Sequence, residues 1–343
     1  MLRASSPRGT ATRTQPVRSV ARLQTCDAAV SGQSSGGASL FEPRNLASFL
    51  LVSLIWGGTW LVIRDQIATV PAQWSISYRF MVATAGMFIL VAIRREPLAM
   101  PRAGWKWVAL LGLLQFVLNF TFVYNAEAYI TSGLVAVMFA LLMVPNAIFG
   151  HFLLGQPIRP AFALGTLIAA GGIAMLFVHE YRASPASLAE VLVGVAFTVG
   201  GILAASGANI VQAMEGAKKL PFLTLLAWAM LAGTLMNTLV AFVQSGLPTY
   251  DPRPAYTLGV LYLGLLGSVC TFPLYYRLVR EVGAGTAAYS SVLVPVVAMT
   301  LSTMFEGFVW SLLPAAGAVL ALSGLLVAMR VRPSPPRRAT PEP

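Results

Sequence analysis

The stretch WSISYRFMVATAGMFILVAIRRE, residues 74–96, is a long apolar run with one arginine near its start and two at its end. An α-helix needs about 20 mostly apolar residues to cross a hydrocarbon layer about 30 Å thick. Arg94 and Arg95 stand where such a segment would end, whereas Arg79 stands inside it. The stretch therefore predicts a membrane-spanning helix that carries one internal charge.

The composition of the whole chain points to the same class of protein. Its 343 residues are 57% hydrophobic and 10% charged, with a mean hydropathy of +0.74. A soluble domain carries about 25% charged residues. The net charge of +11 does not indicate a nucleic-acid partner, because the basic residues cluster at the termini and between apolar runs. The chain is predicted to be a polytopic membrane protein in contact with the lipid bilayer.

Ten apolar stretches of spanning length follow one another along the chain. Frequent glycines and the absence of strict alternation favour helices over a lipid-exposed barrel. The predicted fold is thus an all-α polytopic membrane protein with ten transmembrane helices. Their predicted ranges are 46–63, 74–93, 107–126, 130–153, 160–178, 191–211, 222–243, 256–274, 284–304 and 309–329.

The positions of the basic residues predict the orientation. If the N-terminus is cytoplasmic, only Arg64, Arg182 and Arg253 of the 23 lysines and arginines fall on the opposite side, and Arg79 falls inside a span. Basic residues favour the cytoplasmic side of a membrane. Both termini are therefore expected in the cytoplasm, with the chain crossing the inner (plasma) membrane.

The two ends of the chain read as tails. Residues 1–44 are rich in Arg, Ser and Thr and lack the long apolar segment of a secretory signal, so we expect a disordered basic cytoplasmic tail. A transit peptide, which has a similar composition, is one alternative, and an over-extended gene model is another. Residues 331–343 are expected to form a second, Pro/Arg-rich cytoplasmic tail. Cys26 lies in the first tail and Cys270 in an apolar run, so no disulfide framework is implied.

Several residue types recur 150 positions apart. The matching pairs are Pro71 with Pro221, Pro145 with Pro295, and Gly133 with Gly283. GTLIAAGG (165–172) also resembles GAVLALSG (317–324), two residues out of that register. Each half then has five helices, and an odd number makes the second half enter the membrane in the opposite direction. We predict two inverted five-helix repeats, residues 45–179 and 187–330, with a solute site near the midplane between them.

Longer motifs resemble one known family. They are LIWGGTWLV (54–62), YRF (78–80), the fourth helix with Pro145 followed by LLGQPIRPAFALGTLIAAGGIAMLF (153–177), and the related segment 283–329. In these features the chain is similar to the drug/metabolite transporter superfamily, EamA type, over about residues 45–330. Members usually carry a Gly-Glu pair after the fourth and ninth helices, where this chain has Gly155-Gln156 and Glu306-Gly307. The resemblance implies a transporter, commonly an exporter of amino acids or other small metabolites.

Polar and aromatic side chains within the spans are the candidate solute-binding groups. Arg79 has two interpretations: recognition of a solute carboxylate or phosphate, or anchoring to headgroups, Asp65 or Glu127 near the outer surface. For the other side chains, the alternative is interhelical hydrogen bonding or packing. The candidates are Trp56, Trp60, Tyr78, Arg79, Gln115, Asn119, Asn146, Asn209, Gln212, Trp228 and Tyr289.

Two further groups of residues bear on movement and energy coupling. Glycines allow close helix approach and prolines free backbone carbonyls, so candidate hinge or packing positions are Gly57, Gly58, Pro145, Pro273 and Pro295. The acids and histidine that suit proton exchange are Glu127, His151 and Glu306, all near span ends, where a solvated structural role is the alternative.

The predicted function is secondary transport without enzymatic activity. We expect alternating access and export of small amphipathic metabolites such as amino acids, the alternative being import or exchange of a nucleobase, sugar or quaternary amine. The sequence has neither a GxxxxGK[ST] loop nor a metal-ligand cluster, so no cofactor or metal is predicted. An intramembrane enzyme using Ser206 would need a base, yet His151 and His179 lie at helix ends. The sequence does not indicate an oligomeric state.

Overall fold

The computed structural model describes residues 40, 42–158, 160–183, 187–288, 290–305 and 310–329. Expectations for residues 1–39 and 331–343, and for Tyr289 and Glu306, lie outside these ranges. The described residues form helices and no strand.

Ten helical segments, α1 to α10, follow one another along the described chain. They are α1 (Pro43–Ile67), α2 (Ala72–Arg94), α3 (Arg102–Ala126), α4 (Ser132–Leu154), α5 (Pro160–Ala183), α6 (Leu188–Ala213), α7 (Phe222–Ser245), α8 (Pro254–Val282), α9 (Ser290–Phe305) and α10 (Leu312–Met329). Single-turn helices at Glu215–Lys218 and Ala284–Ala287 precede α7 and α9.

Eight described helices, α1 to α8, are long and apolar enough to cross a membrane. The apolar parts of α9 and α10, Leu293–Phe305 and Leu312–Gly324, are shorter. The predicted spans agree with the observed helices within a few residues, except around the connection between α8 and α9. There α8 continues to Val282, because its last turns bury Tyr275, Tyr276 and Val279.

Local sequence explains where individual helices begin and end. Ser187 and Glu190 form a capping box at the start of α6, in which each side chain bonds the other residue's backbone N–H. Gly155 ends α4 with φ 66°, the left-handed conformation that glycine adopts at least cost. Pro71 precedes α2 and Pro221 precedes α7, the corresponding helix of the second half.

Two of the described helices contain unusually long π-helical segments, in which the backbone hydrogen bonds run from residue i to i+5. In α3 the segment is Gly112–Asn119, and in α8 it is Tyr262–Cys270. Their first residues are 150 positions apart, the spacing of the sequence repeat. A π-helical turn interrupts the regular α-helical register and is often found at functional sites.

Contacts between the two halves of the chain occur in related pairs. When a helix of the first half packs against a helix of the second, the equivalent helices of the opposite halves also pack together. α1 packs against α9 and α4 packs against α6; α1 packs against α8 and α3 packs against α6. α2 packs against α7, where the hydroxyls of Thr84 and Thr234 are 2.9 Å apart. These two threonines occupy equivalent positions of the repeat, 150 residues apart.

The pair α5 and α10 shows the same reciprocity at its glycines. A Cβ atom built on Gly172 would lie 2.3 Å from the backbone nitrogen of Ala321. A Cβ on Gly324 would lie 2.3 Å from the backbone nitrogen of Ala169. Gly172 and Gly324 are the last residues of the two similar octapeptides, so each helix uses the same residue to approach the other.

Polar contacts join the helix connections at each end of the bundle. At the end that carries the α1–α2, α3–α4 and α7–α8 connections, here the first end, Arg253 bridges Asp65 at 3.3 Å and Asp251 at 2.6 Å. The backbone N–H and guanidinium of Arg253 hold the pKa of the Asp251 carboxyl below its usual range. Arg64 donates to the backbone carbonyls of Glu127 and Ile130.

The opposite end, here the second end, carries the α2–α3, α6–α7 and α8–α9 connections. Glu96 accepts from the backbone N–H groups of Leu223 and Thr224 at the start of α7. The guanidinium of Arg280 donates to the side-chain oxygen of Gln212 and to the carbonyl of Ala217. Each end of the bundle is therefore held by its own polar network, and the two networks use different residues.

Candidate functional site

A cavity lies in the middle of the bundle and takes its walls from both halves of the chain. Its lining comes from α1, α2, α3 and α4 of the first half and from α6, α8 and α9 of the second. The space between the lining atoms is about 750 Å³, including the part that is open to solvent. Aromatic rings make up much of the wall: Trp56, Trp60, Phe120, Phe139, Phe272 and Tyr275.

Among the described residues that line this cavity, Arg79 is the one with a formal charge. Its side chain is buried, with 1% exposed. Nε donates to the hydroxyl of Ser268 and Nη2 to the carbonyl of Gly267, both at 3.3 Å. The guanidinium carbon lies 4.4 Å from the centre of the Phe120 ring. All of these contacts are with neutral groups, so they leave the positive charge in place.

The π-helical segment of α8 explains how Arg79 is positioned. The carbonyl of Gly267 accepts hydrogen bonds from Arg79, from the indole N–H of Trp56 at 3.3 Å and from the hydroxyl of Thr271 at 2.8 Å. A Cβ on Gly267 would lie 3.2 Å from the methyl carbon of Thr59. The irregular backbone and the absent side chain together make room for helices α1 and α2 to reach this carbonyl.

Three polar atoms around the cavity have no hydrogen-bond partner among the described residues. They are Nη1 of Arg79, the indole nitrogen of Trp60 and the side-chain oxygen of Asn119. Buried polar groups are almost always hydrogen-bonded, to protein, to water or to a ligand. The cavity therefore offers two donors and one acceptor to a molecule that enters it.

Other polar side chains of the cavity are engaged by protein groups. Gln115 accepts from the hydroxyl of Tyr276 at 2.7 Å. The amide of Asn209 donates to Asn146 at 3.3 Å and to the hydroxyl of Tyr275 at 3.1 Å. These bonds link α3, α4, α6 and α8. The side chains that make them therefore hold the cavity walls together as well as lining the space.

The structure brings six of the sequence-predicted binding residues together in this cavity. They are Trp56, Trp60, Arg79, Gln115, Asn119 and Asn209. Asn146 stands directly behind Asn209, and its amide donates to the carbonyl of Ala284 at 3.4 Å. Asn146 thereby connects the cavity wall to the second end.

Three other predicted residues lie away from the cavity. Gln212 pairs with Arg280 at the second end. Tyr78 stacks on Trp74 and donates to the carbonyl of Thr249 at 3.0 Å. Trp228 donates to the carbonyl of Leu98 at 3.0 Å.

Several lining residues were not among the sequence candidates: Thr59, Phe120, Phe139, Phe272, Tyr275 and Ser290. Most are apolar or aromatic residues within apolar helices, where hydropathy gives no signal of which face they occupy. One feature of the sequence could have identified Phe272 and Tyr275 as lining residues. They are three residues apart on one face of α8, around Pro273, which the sequence marks as a hinge candidate.

The predicted hinge positions lie at close contacts and helix irregularities. A Cβ on Gly57 would lie 2.4 Å from Cβ of Val297, so this glycine sets the approach of α1 to α9. Pro145 follows a 3₁₀ turn at Ala140–Leu142, and Pro273 follows the π-helical segment of α8. Pro295 lies inside α9, and a Cβ built on Gly58 would lie 2.8 Å from the hydroxyl oxygen of Tyr262.

The described proton-exchange candidates differ in their environments. Glu127 is fully buried, with 0% exposed, so the alternative of a solvated structural role is wrong at this position. It follows directly after α3, and its backbone carbonyl accepts from the guanidinium of Arg64. His151 is exposed, and its ring nitrogen lies 2.8 Å from the carbonyl of Gln156.

Comparison with known proteins identifies the architecture. The model of the EamA-like transporter family matches residues 45–178 and again residues 192–330. The chain belongs to the EamA-like transporter family. It is therefore a membrane transporter of EamA type, not an enzyme, and it carries the family domain twice.

Relatives of this EamA-type transporter align over most of their length. The protein PagO of Salmonella typhimurium is 24% identical over 262 residues, which cover 76% of this chain and 84% of PagO. The Escherichia coli protein YedA, named an uncharacterized inner membrane transporter, is 27% identical over 74% of this chain and 80% of its own. The Bacillus subtilis protein YoaV, named an uncharacterized transporter, is 22% identical over 74% and 86%.

A solved crystal structure shares the fold. It superposes with a TM-score of 0.65 at 18% sequence identity, covering 82% of this chain and 95% of the other.

Proposed function

We propose that this EamA-type protein is a secondary transporter of small amphipathic solutes that carry an anionic group, such as amino acids. The observation that carries the proposal is Arg79, a buried guanidinium with neutral partners in the wall of an aromatic cavity. A buried charge whose direct partners are all neutral is costly in a low-dielectric interior. A bound carboxylate would offset that cost and use the free Nη1.

The remaining features of the cavity fit the rest of such a solute. Trp56, Trp60 and Phe272 offer flat apolar surfaces to a hydrocarbon or aromatic part. The unpartnered oxygen of Asn119 accepts a hydrogen bond from an ammonium or hydroxyl group. A zwitterionic solute with an apolar side chain would engage all three kinds of group.

Alternating access is supported by the repeat. We propose that residues 45–179 and 187–330 form inverted five-helix repeats, with ten membrane spans and both termini in the cytoplasm. The reciprocal contacts of Gly172 and Gly324 and the meeting of Thr84 with Thr234 support a twofold relation between the halves. The name of YedA supports an inner-membrane location.

Export is the direction we propose, and the chemistry of the cavity separates the anionic solutes from the other solute classes. The positive charge of Arg79 repels a quaternary amine. A neutral sugar or nucleobase would leave the guanidinium without a charged partner in the cavity. Import or exchange of an anionic solute remains compatible with the same cavity, so direction needs its own measurement.

Counterflow in proteoliposomes tests the solute class. Purified full-length protein is reconstituted, loaded with unlabelled solute and given the same compound with a radiolabel outside. We expect accumulation of L-phenylalanine and L-leucine, and none of choline, adenine or glucose. Accumulation of choline without that of L-phenylalanine would contradict the proposed solute class. Greater resistance of overproducing cells to toxic amino-acid analogues would support export, and greater sensitivity would support import.

Replacing Arg79 tests the role of its guanidinium. Arg79→Lys keeps the charge but loses the planar fork that binds a carboxylate through two hydrogen bonds. We expect L-phenylalanine to bind about 10- to 100-fold more weakly, since charge-assisted hydrogen bonds contribute about 1.5–3 kcal/mol. The matched control is Arg277→Lys, because Arg277 is outside the cavity and pairs with Glu281. Unchanged counterflow kinetics in Arg79→Lys would reject Arg79 as the binding group.

A further inference from the structure

A second set of buried polar groups lies on the side of Arg79 that faces the first end. Tyr124 and Glu127 are three residues apart, so they share a helix face, and each is 0% exposed. The Tyr124 hydroxyl lies within electrostatic reach of both the Arg79 guanidinium and the Glu127 carboxyl. A buried acid and the cavity's arginine thus both act electrostatically on the same phenol.

We propose that Glu127 binds a proton when an anionic solute binds at Arg79, so that proton uptake and solute binding are linked. This assignment rests on the proposed function of the cavity. The proton comes from water at the first end and adds to a carboxylate oxygen of Glu127. No other bond is made or broken.

The coupling follows from electrostatics in a low-dielectric interior. While the cavity is empty, the positive charge of Arg79 favours the ionised form of Glu127. A bound solute carboxylate cancels that charge and adds a negative one nearby, so the proton affinity of Glu127 increases. By thermodynamic linkage, a proton on Glu127 strengthens solute binding by the same factor.

Other charged and titratable groups near Glu127 do not remove this difference. Among the described residues, α1 contributes Arg64, α2 contributes Arg79, and Tyr256 of α8 lies within reach of Tyr124. Arg64 is exposed and donates to backbone carbonyls. Its charge alters the affinity of Glu127 for a proton in both states of the cavity, so the effect of the solute is preserved.

The surroundings also favour water between the first end and Tyr124. The hydroxyl of Tyr124 and the side-chain oxygen of Gln73 are buried without a hydrogen-bond partner in the described part of the chain. Gln73 contacts Thr121, which lies three residues before Tyr124 on α3. Buried polar groups of this kind are commonly joined by ordered water. Water there would give protons a path to Glu127.

The wild-type protein gives the first test. L-phenylalanine binding is measured calorimetrically in two buffers that differ in ionisation enthalpy, which yields the number of protons taken up. We expect proton uptake on binding, and an affinity that rises by at most about tenfold per unit fall in pH. Binding without proton uptake at any pH where the protein is folded would overturn the inference and leave the proposed function standing. Absence of L-phenylalanine binding and counterflow would remove both.

Glu127→Gln assigns the site of the proton. Glutamine mimics the protonated acid, so we expect this variant to keep counterflow while losing proton uptake and the pH dependence of binding. Glu215→Gln is the control, because Glu215 is exposed on the single-turn helix at the second end. Wild-type proton uptake in Glu127→Gln would overturn the assignment. If Glu127→Gln does not fold, Glu127→Asp keeps an ionisable group and should retain proton uptake; loss of uptake in a folded, binding-competent Asp variant would contradict it.

Discussion

Arg79 shows how much of a site a single residue can reveal. A lone arginine in an apolar span is unusual enough to be noticed from sequence, because its burial is costly. Its partners could not be predicted. Gly267 and Ser268 lie nearly 190 positions further along the chain, and their exposure to Arg79 depends on the π-helical register of α8. The same limit applies to Phe139 and Phe272, because hydropathy does not show which way their side chains face.

Trp60 provides a test of the unpartnered donors in the cavity. Trp60→Phe keeps an aromatic ring but removes the indole N–H, so we expect L-phenylalanine to bind about three- to tenfold more weakly, as for loss of one neutral hydrogen bond. Trp74→Phe is the matched control, since the indole nitrogen of Trp74 is also buried and unpartnered but lies outside the cavity. Equal effects of the two substitutions on binding would show that the N–H of Trp60 does not contact solute.

Helices were predictable where apolar length alone defines them. Hydropathy located α1 to α7 closely, because lipid requires a continuous apolar run. It ended α8 too early, since the last two turns of that helix are amphipathic, with Tyr276 buried and Arg277 facing outward. It also missed the separate turn at Ala284–Ala287, where Gly283, with φ 88°, ends α8.

The packing of α5 against α10 depends on single glycines. In Gly172→Ala the new Cβ would meet the backbone of Ala321, which cannot rotate away, so the helices must separate. We expect a loss of about 1–3 kcal/mol of stability and a lower melting temperature in detergent, with the same result for Gly324→Ala. Gly171→Ala is the control, because its nearest neighbour would be a Leu320 methyl at 3.7 Å. Equal melting temperatures for Gly171→Ala and Gly172→Ala would contradict this packing.

At the scale of the whole molecule, a nearly symmetric scaffold surrounds an asymmetric site. The helix pairs, the glycine contacts and the π-helical segments recur in both halves. The chemistry does not recur, because Arg79 corresponds to Ala229 and Asn119 to Val269 at the repeat spacing. Symmetry would allow the two halves to exchange roles when the cavity opens to either side, while the solute always meets the same arginine.

The inverted relation of the halves is the central claim, and accessibility labelling tests it most directly. Thr69 and Lys219 are both exposed, lie in corresponding connections and are 150 residues apart. Thr69→Cys and Lys219→Cys are made separately in a chain whose Cys26 and Cys270 are replaced by serine, and intact cells are treated with a membrane-impermeant maleimide. We predict that Thr69→Cys is labelled from outside and Lys219→Cys only after the membrane is permeabilised. Labelling of both positions from the same side would contradict an inverted repeat.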